Sequence, residues 1–211
     1  MSRNAAMDAA RMEKNKMRVL RTALQLFAEN DIENVSMPDI ARAVDMDRSS
    51  IYRYFPTKMD LVVAISTTVW QEYSARGREI VYFKETAAER YEKWLDSFMD
   101  LYRNHRDLLR YNQFFNVFVA NERVTPEQME PYIRVISQVR KRFHEVYELG
   151  KKDGTLRTDI PEERIFSITL HLMLAAVTRY AVGLVYLGGT DPEEELAELK
   201  EMMMQRFTIA K

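Results

Sequence analysis

Residues 36–61 read SMPDIARAVDMDRSSIYRYFPTKMDL, and three helix-start signals fall within this stretch. Ser36, Asp47 and Thr57 open the three signals, and each supplies a short side-chain oxygen that can accept from the free backbone N–H groups of a first helical turn. In the first and third signals an Asp follows three residues later, as in a capping box. The helical runs between the signals are short. This spacing predicts a compact set of three helices that contains a helix-turn-helix.

The middle segment, from Asp47 to Phe55, has the composition of a helix that presents polar and aromatic groups to a partner. Ile51 and Phe55 are its two apolar positions and are expected to anchor it. The remaining side chains are polar or aromatic and are expected to point outward: Arg48, Ser49, Ser50, Tyr52, Arg53 and Tyr54.

Apolar residues before and within the stretch predict a small shared core. One helical face carries Leu20, Ala23, Leu24 and Phe27 at i, i+3, i+4 and i+7, and the second helix has its own stripe of Ile40, Ala43 and Val44. Asp45 lies in the predicted turn, where it tolerates the left-handed conformation that Gly often supplies. An ordinary helical hairpin with solvated polar faces is the alternative interpretation.

These residues resemble the DNA-binding signature of the TetR (tetracycline repressor) family of bacterial regulators. The resemblance covers roughly residues 13–61, and its most specific part is the run IYRYFP at 51–56 followed by Lys58. Asp45 and Ser49 depart from the pattern, since Gly is common at both positions. The resemblance implies a homodimeric, ligand-responsive regulator that binds DNA. We expect it to be a repressor that binds a palindromic operator and is released by a small apolar or aromatic effector.

The rest of the chain predicts an all-α fold, because no alternating strand pattern of useful length occurs. We expect an N-terminal arm and helix-turn-helix at 1–57, a connecting helix at 58–77, and a helical effector-binding and dimerisation domain at 78–211. Breakers and caps place the helices of that last domain at 87–104, 107–121, 126–152, 161–187 and 192–208.

DNA-contacting residues are predicted in and around the short middle helix. Arg48, Tyr52 and Tyr54 are expected to reach the groove, while Ser36, Arg53 and Lys58 are expected to hold phosphates. The full predicted set also includes Met37, Ser49 and Ser50. Through residue 60 the chain has ten Lys or Arg against nine Asp or Glu. The cations must therefore act in clusters rather than through net charge.

The last two predicted helices have apolar faces that need a partner. Two such helices from each of two chains would form a four-helix bundle, which is where the resembling family dimerises. The predicted interface consists of Leu172, Ala176, Arg179, Val182, Leu196, Leu199 and Met203. The alternative is that these faces are internal core of a monomer.

Aromatic residues are concentrated in the C-terminal part, and the resemblance implies that some of them line an effector cavity. The predicted lining is Trp94, Phe98, Tyr111, Phe115, Phe118, Tyr147 and His171. Such a cavity is mostly apolar and suits an aromatic or lipophilic molecule. Which of these aromatics line a pocket and which fill the core stays open at this point.

Other functional classes find little support in the sequence. The chain has no Cys, which removes thiol nucleophiles, disulfides and thiolate metal sites and is compatible with a reducing compartment. Its three histidines, His105, His144 and His171, have no metal-ligand spacing. We therefore expect no catalytic residues, no metal and no cofactor.

The location of the protein is predicted from what the sequence lacks. No apolar secretion signal opens the chain, and Arg179 interrupts the apolar stretch at 165–187 at a cost of at least ~2.5 kcal/mol in a bilayer. We expect a cytoplasmic protein without a membrane contact. Two alternatives to the ligand-responsive regulator remain: a helical protein-interaction module, and a constitutive DNA-binding dimer that responds to no effector.

Overall fold

A computed structural model describes residues 3–76, 85–122, 124–183 and 191–209 of the chain. Within these ranges the backbone forms nine α-helices and no strand beyond one isolated bridge between Leu156 and Thr208. The helices are α1 Arg3–Asn30, α2 Met37–Ala43, α3 Arg48–Tyr54, α4 Lys58–Arg76, α5 Ala87–Asn104, α6 Arg106–Asn121, α7 Pro126–Asp153, α8 Glu162–Ala181 and α9 Pro192–Phe207. The all-α prediction is confirmed.

Helix α8 is shorter than the sequence predicted. It ends at Ala181, and Gly183 follows with φ of 80°. A glycine in the left-handed region just past a helix terminates it, because the free carbonyls of the last turn accept from the turning backbone. Here the N–H of Gly183 donates to the carbonyl of Tyr180. Residues 184–187, which we expected in this helix, lie outside the described ranges.

The chain divides into two compact units whose boundaries do not follow the order of the sequence. Unit 1 contains residues 1–70 and 111–133, and unit 2 contains residues 71–110 and 134–211. Helices α4, α6 and α7 therefore contribute residues to both units. The domain boundaries predicted at residues 57 and 77 separate the chain by function rather than by packing, and they stay a prediction.

The predicted caps of unit 1 are formed at two of the three helix starts. Ser36 and Asp39 form a complete capping box at α2, and Thr57 and Asp60 exchange the same hydrogen bonds at α4. Asp47 precedes α3 in an extended conformation, but its side chain makes no capping hydrogen bond, contrary to our expectation. Asp45 has φ of 51°, which confirms the left-handed turn residue between α2 and α3.

The core of unit 1 is larger than three helices alone would provide. Phe27, Ile40 and Ile51 have no exposed side-chain surface, and residues of α4 and α6 pack with them in the same cluster. Ala43 was expected in the stripe of α2 but is exposed, and Ala41 is buried instead. The short helix α2 packs on both α1 and α3, and this contact selects the face that is buried.

Ile51→Ala should destabilise unit 1 by about 2 to 5 kcal/mol, because it removes a fully buried branched side chain and leaves a cavity. Urea unfolding followed by circular dichroism measures the change. Ser49→Ala on the same helix is the control, since Ser49 is exposed and should change the unfolding free energy by less than ~0.5 kcal/mol. Equal midpoints for Ile51→Ala and the unmodified protein would contradict the packing described above.

Unit 2 is built around a cluster of aromatic rings. Trp94 contacts Phe98, Phe143 and Phe166 at centroid distances of 5.7, 5.1 and 5.6 Å. The hydroxyl of Tyr91 lies 2.7 Å from that of Thr169, so a buried hydrogen bond joins α5 to α8. Among the described residues, no helix is long and apolar enough to cross a bilayer.

Candidate nucleic-acid interface

Helix α3 has one buried side and one continuous exposed side. Ile51 and Phe55 are buried and hold the helix on the core of unit 1. The exposed side is formed by Arg48, Ser49, Tyr52 and Arg53, with Ser50 and Tyr54 half-buried at its margins. The Arg53 guanidinium lies 5.7 Å from the centre of the Tyr54 ring. The arrangement presents two cations, hydroxyl groups and an aromatic ring on one helix face, which is suitable for phosphate and base-edge contacts.

The two predicted contacts at the start of α2 differ in what they can do. The Ser36 hydroxyl is exposed but is engaged with Asp39, and these hydrogen bonds hold the pKa of the Asp39 carboxyl below its usual range. The Met37 side chain is 5% exposed and packs into the core of unit 1. The Met37 side chain therefore offers little surface to DNA, and any contact at this position would use its backbone N–H at the start of α2. The apolar character of Met37 was the signal for its burial.

Lys58 is also placed differently from the expectation. Its Nζ lies 3.4 Å from the backbone carbonyl oxygen of Glu33 and above the rings of Phe27 and Phe118. Burial lowers the pKa of this ammonium group, against an opposite contribution from the nearby Glu33 carboxylate. Lys58 is half-buried, and its predicted contact with a phosphate stays a prediction.

A cleft of about 690 Å³ lies beside α3, between that helix and the first half of α1. Arg11 and Arg18, seven residues apart on one face of α1, line it together with Arg53 of α3. Carboxylates line it as well, from Asp8, Asp45 and Asp47. The sequence indicated that cations of the first 60 residues act in clusters, but it did not predict that those of α1 and α3 lie beside one cleft.

The predicted dimer residues divide into exposed and internal ones. On α8, Leu172 is 48% exposed, Arg179 is exposed and Ala176 is half-buried. Val182 follows the helix as its C-cap. On α9, Leu199 is half-buried, whereas Leu196 and Met203 are buried in the core of this chain. Leu196 and Met203 therefore leave no side-chain surface for a second copy. Apolar periodicity alone could not distinguish an internal face of α9 from an intermolecular one.

The predicted effector-pocket residues belong to two different units. In unit 1, Tyr111 and Phe115 are buried, and the Tyr111 ring stacks on Phe27 at 6.3 Å. The Tyr111 hydroxyl donates to the carbonyl oxygen of Val62 at 2.7 Å. Phe118 is buried in the same cluster. These rings pack with the helix-turn-helix rather than with the aromatic cluster of unit 2.

In unit 2, Trp94, Phe98 and Tyr147 belong to the interior, with Trp94 half-buried. The Tyr147 hydroxyl donates to the carbonyl oxygens of Thr158 and Ile160 at 3.0 and 2.9 Å, so its polar end is used in the fold. His171 is exposed and lies 3.3 Å from the Ser167 hydroxyl on its own helix. No group of three or more potential metal ligands occurs among the residues that the structure describes.

Comparison with known proteins agrees with the helix-turn-helix and its surroundings. Residues 19–65 match the family of bacterial regulatory proteins described as the tetR family. These residues include the second half of α1, the whole of α2 and α3, and the start of α4. The DNA-binding part of the chain is therefore similar to that of the TetR family.

Relatives of this chain are described as transcription regulators and not as enzymes. The chain is 27% identical over 181 residues to the HTH-type transcriptional repressor KstR2 of Rhodococcus jostii, covering 83% of this chain and 84% of that protein. The fold is similar to that of the ketosteroid transcriptional regulator KstR2 of Mycobacterium tuberculosis, with a TM-score of 0.68, 18% identity, and coverage of 92% and 95% of the two chains. A regulator from Saccharomonospora viridis, in complex with choline, gives a TM-score of 0.75 at 18% identity, with coverage of 94% and 100%.

Proposed function

We propose that this protein is a homodimeric repressor of the TetR family that inserts α3 of each subunit into the major groove of a palindromic operator. The exposed face of α3 is the observation that carries the proposal, because Arg48, Ser49, Tyr52 and Arg53 lie on one side of a helix whose other side is buried. A recognition helix needs this division to remain anchored while its side chains reach base edges. The proposed site of action is the cytoplasm, where a bacterial operator is found.

Dimerisation is proposed through the exposed residues of α8 and α9. Leu172 on α8 and Met202 on α9 are large apolar side chains, 48% and 59% exposed. Together with Ala176, Arg179 and Leu199 they are the residues that we propose a second copy covers. Two linked helix-turn-helix regions bind a palindrome more tightly than one region binds a half-site, because the second contact with DNA is intramolecular.

The DNA-binding part of the proposal is tested by selection of genomic fragments from the source organism on the purified protein. A common palindromic sequence should be enriched, and its affinity should fall steeply between 50 and 200 mM salt, because bound phosphates release counterions. Retention of no duplex at any salt concentration would instead favour the helical protein-interaction module.

The effector is proposed to bind in unit 2 beside Trp94. Trp94 is half-buried and contacts several other rings, so a flat apolar molecule could replace part of this ring packing. The similar KstR2 is described as a ketosteroid transcriptional regulator, and the S. viridis regulator is in complex with choline. These two compounds represent a large apolar ligand and a small cation that aromatic rings attract, and both should be titrated against the protein–operator complex.

Trp94→Leu should raise the effector concentration needed for half-release of DNA at least tenfold, while operator affinity changes less than about twofold. The substitution removes ring surface from unit 2 but alters no residue of the helix-turn-helix. Met99→Leu is the matched control, since Met99 is buried on the same helix and contributes no ring. If both variants released DNA at the same effector concentration, Trp94 would not belong to the effector site. If no compound released DNA from the unmodified protein, the constitutive DNA-binding dimer would be favoured.

A further inference from the structure

Helices α8 and α9 each expose one face, and the two faces lie on the same side of unit 2. Both helices pack on α5 and on each other. Their buried residues, such as Met173 of α8 and Leu196 of α9, belong to the faces that meet these neighbours. The exposed residues lie on the opposite face of each helix, so both exposed faces are directed away from α5.

The exposed face of α8 is basic. From Arg164 onward, the exposed residues of this helix fall within about 100° of its circumference: Arg164, His171, Leu172, Ala175 and Arg179. Arg164 and Arg179 lie about 22 Å apart along the helix axis, with the apolar residues between them. The carboxylates of Glu162 and Glu163 contact side chains of α7 instead. The face that α8 offers to a partner therefore carries a cation near each end and no carboxylate.

The exposed face of α9 is acidic. Glu194, Glu198 and Glu201 are exposed and follow one another at intervals of four and three residues, so they share one face. Glu194 and Glu198 take part in no ion pair within the ranges that the structure describes. The two cations of α9 lie elsewhere. Lys200 pairs with two carboxylates of α5, and Arg206 lies about a third of a turn from the centre of the acidic face.

Two-fold symmetry leaves two ways to join these faces in a dimer. If α8 packs on α8 of the second copy and α9 on α9, like charges face each other. If α8 of each chain packs on α9 of the other, the same contact occurs twice and opposite charges face each other. Opposite charges across an interface are favourable, and like charges are strongly unfavourable. The charges therefore favour the second arrangement.

We propose that the dimer forms with α8 of each chain against α9 of the other, and that this charge pattern selects a second copy of the same chain as the partner. This inference rests on the proposed homodimer. Leu172 and Met202, both exposed, supply apolar area for the contact. The charges around them determine which partner is accepted, because a related regulator with a different pattern would bring like charges together.

Reversal of the charges on either face should weaken the dimer. Arg164→Glu with Arg179→Glu makes both faces acidic, and Glu198→Lys with Glu201→Lys makes both faces basic. Each double variant should raise the dissociation constant of the dimer at least about tenfold in about 50 mM salt, because like charges then face each other with little screening. Analytical ultracentrifugation measures this constant. Double variants that dimerise as tightly as the unmodified protein would overturn the proposal.

The two double variants should pair with each other when they are mixed. The acidic α8 of the first variant then meets the basic α9 of the second, and the basic α8 of the second meets the acidic α9 of the first. A chain with all four substitutions should again form a homodimer, with a dissociation constant within about threefold of that of the unmodified protein. Native mass spectrometry distinguishes these species. A mixture without heterodimer, or a fourfold variant that stays monomeric, would overturn the proposal.

Lys141→Glu with Lys152→Glu is the matched control. Both lysines are exposed on α7 within unit 2, and the substitutions change the net charge as much as those on α8 do. The control should dimerise within about twofold of the unmodified protein. An equal loss of dimer in the control would assign the effect to net charge and overturn the proposal. A monomeric unmodified chain would instead refute the proposed homodimer, and it is recognised before any variant is compared.

A cross-linking experiment covers the case in which a charge-reversed variant fails to fold. Arg164→Lys with Arg179→Lys keeps the charges of α8 and supplies amines that a carbodiimide couples directly to carboxylates in contact with them. In a mixture of unlabelled and ¹⁵N-labelled chains, the masses of the linked peptides identify links between different chains. Links between α8 of one chain and α9 of the other are expected. Intermolecular links that join only other helices would overturn the proposal.

Discussion

Leu172→Glu is expected to produce a monomer at micromolar concentration and to reduce operator affinity by about 10² to 10⁴-fold. Leu172 is 48% exposed on α8, so the substitution does not enter the core of its own chain. In the proposed dimer it would place an unpaired carboxylate in an apolar interface. A monomer has only one helix-turn-helix, so it loses the affinity gain of bivalent binding, which is about 10² to 10⁴-fold. Light scattering and operator titration measure the two effects.

Ile133→Glu is the matched control for this experiment. Ile133 is 53% exposed but belongs to α7 within unit 1, outside the proposed interface. The control should remain dimeric and bind the operator within about twofold of the unmodified protein. The dimer proposal fails if the native chain is monomeric and still binds a palindrome tightly, or if Leu172→Glu remains dimeric.

Tyr52→Ala should reduce specific operator affinity by about 30-fold to 10⁴-fold and leave the stability of the protein nearly unchanged. Tyr52 is 45% exposed on α3, so its removal creates no cavity in unit 1. Each lost base contact costs about 1 to 3 kcal/mol, and a dimer loses the contact twice. Non-specific binding should be almost unaffected, because Tyr52 carries no charge. Titrations with operator and random duplex at one salt concentration measure the difference.

Ile51→Ala provides the comparison for Tyr52→Ala. The two residues are neighbours in sequence, but Ile51 is fully buried and Tyr52 is exposed. Ile51→Ala should lower the unfolding midpoint, whereas Tyr52→Ala should lower the ratio of specific to non-specific affinity. If Tyr52→Ala weakened both duplexes equally, Tyr52 would not be a groove contact.

Local patterns were sufficient to predict the helices and most of their boundaries. Capping boxes depend on residues three apart, and those at Ser36 and Thr57 formed as predicted. Helix α5 has the predicted bounds because Thr86 and Glu89 form another such box before it. Asp47 shows the limit of prediction from local patterns. Asp is a common N-cap residue, but the Asp47 side chain makes no capping hydrogen bond at α3.

The residues of the candidate site were predicted less completely than the helices. Periodicity correctly separated Ile51 from the exposed face of α3. It could not show that Leu196 and Met203 are covered by their own chain, or that Arg18 and Arg53 line one cleft. Each of these facts depends on which distant segment packs against the residue, and no local pattern contains that information.

The sequence by itself determined the helical class, the helix-turn-helix and the TetR resemblance, because caps, turns and the spacing of apolar residues act over a few positions. Only the tertiary structure decided that residues 111–133 join unit 1, and that the rings of Tyr111 and Phe118 pack there. It also decided that the Lys58 ammonium group lies near the Glu33 carbonyl oxygen and the Phe118 ring. The physical reason is that burial and charge pairing are set by contacts between segments that lie tens of residues apart.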